Sequence, residues 1–81
     1  MEPMELVTWV RASPFVPFRM RMIDGRTFEV LRPEELKVGE RSMIRYGYRG
    51  DATDFFDRCE MLSPQWVESV EPIDAAQTDA T

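Results

Sequence analysis

The stretch FRMRMIDGRTFEV, residues 18–30, constrains the fold more tightly than any other part of the chain. It reads as two strands about an Asp-Gly turn, and the loop length decides which side chains share a face. A two-residue turn at Asp24 and Gly25 would pair Ile23 with Arg26. Arg21 would then face Phe28 and Met20 would face Glu29, mixing apolar and charged side chains on both faces. A three-residue loop, Ile23-Asp24-Gly25, with Gly25 in the left-handed conformation as a bulge, separates them. Met20 then faces Phe28, Phe18 faces Val30, Arg19 faces Glu29 and Arg21 faces Thr27. A loop of Asp24, Gly25 and Arg26 keeps the same parity. A one-residue slip inverts every side chain, so the pattern excludes the two-residue turn. The three-residue loop starting at Ile23 is favoured because it places Gly25 where φ is positive. The expected core face is Phe18, Met20, Phe28 and Val30. Arg19 and Arg21 project outward, and an Arg19–Glu29 pair across the strands is worth about 0.2–1 kcal/mol.

The remaining elements follow from shorter signals. Pro3 suits a first helical turn, and Leu6, Val7, Trp9 and Val10 follow at helical spacing, so a short amphipathic helix is expected over about residues 3–12. It ends before Ser13-Pro14, and Pro17 keeps the next segment extended. Trp9 is expected as a lid over an open barrel end. Pro33, Glu34 and Glu35 form a polar turn region, with Leu36 and Val38 buried beside it and Gly39 marking a second reversal. Residues 41–48 read as a strand with Ile44, Tyr46 and Tyr48 on one face and Met43, Arg45 and Gly47 on the other. RGDATD, residues 49–54, is the most turn-like stretch. In the following strand, FFDRCEML, the expected core face is Phe55, Asp57, Cys59 and Met61, with Cys59 acting as a small hydrophobe. SPQW is a single tight helical turn feeding a last strand, VESVEPI, and the tail from 74 to 81 is expected to be disordered. The fold class is mainly β: a short N-terminal helix followed by a small five-stranded, strongly bent antiparallel sheet or barrel, Sm-like or SH3-like, as one domain over 1–73. A two-layer α+β sheet with the helix on one face is the alternative.

The segment SPFVPFRMRMIDGRTFEV, a following proline and the closing VESVEP resemble an uncharacterised family of small bacterial proteins. Their pattern is a Pro-Phe repeat, an alternating strand, Asp-Gly-Arg, a second alternating strand and a final strand ending in Glu-Pro. The resemblance covers about residues 13–73 and implies no activity. A weaker resemblance is to Sm-like RNA chaperones, with Gly25 as the turn glycine between the first two strands. The lysine-histidine signature of those chaperones is replaced here by SPQW, so this likeness reaches the fold only.

Composition excludes much chemistry. There is no histidine and one cysteine, which removes the usual zinc, haem and histidine-based nucleophile sets and any internal disulfide. Asp51, Asp54 and Asp57 lack the glycine and terminal glutamate of a calcium loop. No cofactor and no catalysis are expected. No apolar run reaches the length of a membrane helix, and the acidic N-terminal decade is unlike a signal peptide, so a cytoplasmic location is expected. The net charge of −5 divides unevenly: residues 11–50 hold nine basic and five acidic side chains, whereas 51–81 hold Arg58 against eight acids. The leading expectation is a non-enzymatic binding or adaptor module that presents loops or an open strand edge to another protein or to a second copy. Its candidate contact residues are Arg19, Arg21, Arg26, Arg45, Tyr46 and Tyr48. The alternative is an RNA or single-stranded nucleic-acid binder using those side chains with Arg11, Arg32, Arg41 and Arg49, the tyrosines stacking on bases. The acidic C-terminal third counts against it.

Overall fold

The computed structural model describes residues 1–48 and 55–73. The order is α1 (Pro3–Arg11), β1 (Phe18–Met22), β2 (Thr27–Val30), a 3-10 turn (Pro33–Glu35), β3 (Leu36–Val38), β4 (Met43–Tyr48), β5 (Phe56–Leu62), a second 3-10 turn (Pro64–Trp66) and β6 (Val67–Pro72). The RGDATD turn and the tail from 74 onward lie outside the described residues.

The first hairpin has the register that its alternation requires: Phe18 with Val30, Arg19 with Glu29, Met20 with Phe28 and Arg21 with Thr27. Gly25 sits at φ 93°, and its N–H donates to the Met22 carbonyl at 2.9 Å while the Met22 N–H donates to the Arg26 carbonyl at 2.8 Å. β6 returns to the other side of β1, pairing Met20 with Val70 and Phe18 with Pro72. The first 3-10 turn does more than reverse direction. Pro33 cannot donate to a ladder, so the strand that begins at Thr27 stops before it and resumes only at Leu36. Glu35 is buried at this corner, where its carboxylate accepts the Leu31 N–H at 2.9 Å and pairs with Arg32 Nε at 3.3 Å.

This break corrects the expected five-stranded barrel. Among the described residues the sheet is divided in two, with orders β2-β1-β6 and β3-β4-β5, six strands and no closed barrel. The added strand, β3, has only three residues, too few for alternation to announce it. The core is Leu6 from α1, Phe18, Met20, Met22 and Val30 from the first sheet, Leu36, Met43 and Leu62 from the second, and Val67. Phe28 is only half-buried. Trp9 caps no barrel end; it packs on Phe18 with ring centroids 5.4 Å apart.

A second correction concerns β5. Met43 pairs with Leu62 and Arg45 with Glu60, so Leu62 and Glu60 share the face that carries core residue Met43. Cys59 and Met61 take the opposite face, and both are exposed. The expected core face of Phe55, Asp57, Cys59 and Met61 is therefore the solvent side, and Cys59 is no buried hydrophobe. The inward carboxylate of Glu60 is tolerated because Arg45 Nη1 meets it at 2.8 Å.

Candidate docking surface

The six candidate contact residues fall into three groups. Arg19, on the outer face of the first sheet, is held between Glu29 at 2.9 Å and Glu71 at 3.2 Å. The hydrogen bond to Glu29, then that to Glu71, raises its pKa. Arg26 turns back on the hairpin loop, its Nε 2.7 Å from Asp24 Oδ2 and its guanidinium over the Phe28 ring. Asp24 also accepts the Arg26 backbone N–H, the main reason its carboxyl is held below its ordinary pKa. Arg21 is exposed, with the neutral side chains Thr27 and Ser69 opposite it on either side.

Arg45 has a different task. Its side chain is only 13% exposed, and it reaches from the second sheet to the first. Nε donates to the Glu29 carbonyl at 3.0 Å, Nη1 meets Glu60, and the guanidinium lies 5.6 Å from the Phe28 ring centroid. A cation so engaged ties β2 to β4 and β5. Alternation alone could not reveal this, because the three partners come from other strands.

Tyr46 and Tyr48 lie on the outer face of the second sheet. Tyr46 packs against Phe56 with centroids 5.4 Å apart and lies 6.4 Å from the Tyr48 ring. The register continues this face with Ile44 opposite Met61 and Tyr46 opposite Cys59. Phe55 is 84% exposed, Phe56 56% and Met61 70%. Sequence reasoning missed Phe55, Cys59 and Met61 as surface because it turned the strand the wrong way; Phe56, expected outward, joins them because the register shifts by one residue beyond Gly47.

The sheet edges reinforce the point. Natural edge strands are blunted by brevity, proline, charge or a covering element. β2 has four residues, and its Glu29 carbonyl is taken by Arg45. β3 has α1 packed against it, and Leu36 is buried. β6 ends on Pro72 and carries Glu68 and Glu71. Among the described residues β5 is the longest strand, seven residues without proline, and is paired on one side only. The ladder also shows which of its backbone groups are spent. The Gly39 N–H donates to the Ser42 carbonyl, which makes Lys37 and Ile44 a hydrogen-bonded pair and turns the Ile44 backbone toward β3. Arg45 and Gly47 therefore bond to Glu60 and Arg58, while the backbone N–H and C=O of Cys59 and Met61 point to the open edge.

A groove of about 720 Å³ runs between α1 and the second sheet, lined by Met4, Val7, Val10, Val38, Tyr46 and Tyr48. Arg11, Lys37 and Glu34 border it, and the Tyr48 hydroxyl donates to the Glu34 carbonyl at 3.4 Å. Among the described residues no group of three or more Cys, Asp or Glu side chains is placed to hold a metal ion, and no helix is long and apolar enough to cross a membrane. No family model matches the chain, and neither a curated protein nor a solved structure matches it.

Proposed function

We propose that the chain is a non-enzymatic binding module that docks another protein chain along β5 and the outer face of the second sheet. One observation carries this reading: the largest exposed apolar side chains of the second sheet, Phe56 and Met61, sit on its longest and least protected edge. An edge with unspent backbone groups offers main-chain hydrogen bonds, and alternating side chains beside it offer selectivity. The strand path also supports kinship with small SH3-like or Sm-like modules. β1 and β2 form a hairpin, the broken strand resumes as β3 and meanders through β4 to β5, a 3-10 turn follows, and β6 returns to β1.

The nucleic-acid reading is weaker for a specific reason. Arg19, Arg26 and Arg45 each already meet a carboxylate of their own chain. Phosphate contact would have to displace those partners. Two measurements divide the readings. Affinity capture with the wild-type chain and with Met61→Glu as baits should retain a partner on the first and lose it on the second. Equal retention places docking elsewhere. A salt titration with single-stranded RNA should show no binding at low salt, whereas affinity that falls steeply with salt would favour the nucleic-acid reading.

A further inference from the structure

The docking edge is suited to a specific partner: a second copy of this chain. We propose that two copies pair antiparallel through β5, centred on Cys59, so that the two second sheets form one continuous six-stranded sheet. This rests on the reading of β5 as the docking strand.

A two-fold pair joins each residue to a fixed mate, and the open-edge groups restrict the choice. Cys59 and Met61 point their backbone outward, so outward positions must meet outward positions. Three registers near the strand centre satisfy this. Centring on Arg58 sets Arg58 against its own copy, and centring on Glu60 sets Glu60 against its own copy. Like charges directly opposite are destabilising. Centring on Cys59 sets Arg58 opposite Glu60 of the second copy twice over. It is the one register of the three in which β5 complements itself.

The side chains are prepared for it. Glu60 has only Oε1 on Arg45, which leaves Oε2 for a second guanidinium. Arg58 makes no ion pair with any described residue, and its side chain lies along Gly47, whose absent Cβ would come within 2.9 Å of Arg58 Cγ. In the pair, Arg45, Glu60 and Arg58 of the second copy form a line of alternating charge, and the exposed apolar side chains of the two β5 strands join on one outer face.

The single cysteine makes the register measurable. Hydrogen-bonded antiparallel partners lie about 5.5 Å apart at Cα, within disulfide range. The wild type should therefore oxidise to a covalent dimer with copper-phenanthroline and dioxygen. Cys59→Ser/Met61→Cys, whose new cysteines the register sets about 14 Å apart along the strands, should not. Light scattering of the reduced wild type should show a mass that doubles with concentration. Arg58→Glu, with a circular dichroism spectrum like the wild type's, should stay monomeric. A wild-type chain that remains monomeric at every concentration overturns the proposal. So does a dimer indifferent to Arg58→Glu, or one whose Met61→Cys form cross-links as fast as Cys59. The binding reading survives these failures if a captured partner is still lost on Met61→Glu, and it falls if that partner is also retained.

Discussion

Replacing Arg45 by Met tests whether one side chain fastens the two sheets together. Met keeps an unbranched apolar stem of similar reach but removes the charge and every donor. Three contacts are lost. The hydrogen bond from a charged donor to the Glu29 carbonyl is worth about 1.5–3 kcal/mol, toward the lower end here because Glu29 is exposed and water can replace the donor. The guanidinium over Phe28 contributes about 0.5–1 kcal/mol. The pair with Glu60, whose side chain is 32% exposed, adds less than about 1 kcal/mol after solvent screening. Together the loss is about 2–3 kcal/mol, and a urea slope of about 1 kcal/mol/M for a chain this small turns that into a midpoint lower by about 2–3 M. Trp9, packed on Phe18, supplies the fluorescence signal. Arg45→Met with Phe28→Leu should be less than additive, since both remove the same contact. An unchanged midpoint for Arg45→Met would show that the sheets are held by the apolar core alone, and Arg45 would return to the pool of side chains available to a partner.

Gly25 and Asp24 give two further expectations at the hairpin loop. At Gly25 a Cβ would meet nothing within 4 Å, so the cost of Gly25→Val comes from φ 93° rather than from a clash. It should exceed about 1 kcal/mol in a urea titration, and an unshifted midpoint would mean another turn conformation. Asp24 is held below its ordinary value of 3.8, mainly by the Arg26 N–H, so its contribution is complete above 3.8 and is lost as pH falls through the lower folded value. Asp24→Asn should flatten the loss of stability between neutral pH and about pH 2, and identical acid profiles would refute that assignment.

The parts of this fold that are local were legible in the residues. Strict alternation on both sides of Gly25 left one parity for the first hairpin, and Ser63-Pro64 announced the tight turn before β6. Where pairing depends on distant partners, pattern failed. β5 carries apolar side chains on both faces, and the face with more charge turned inward because Arg45 neutralises Glu60 there. β3 is visible only through its pairing with β4, since three residues have no period. Of the candidate contact residues, Tyr46 and Tyr48 are half-buried on the face that carries Phe56. For the arginines, charge alone cannot distinguish the outward Arg21 from the inward Arg45.

Amide hydrogen exchange along β5, followed residue by residue by NMR, tests the docking edge most directly. In dilute solution the Arg58 and Glu60 amides, bonded to β4, should exchange slowly, and the Cys59 and Met61 amides should exchange fast. Raising the protein concentration should slow Cys59 and Met61 while leaving Arg58 and Glu60 unchanged. Protection of the Cys59 and Met61 amides at every dilution would mean that the edge is already covered within one chain, and the account of β5 as the docking strand would be wrong.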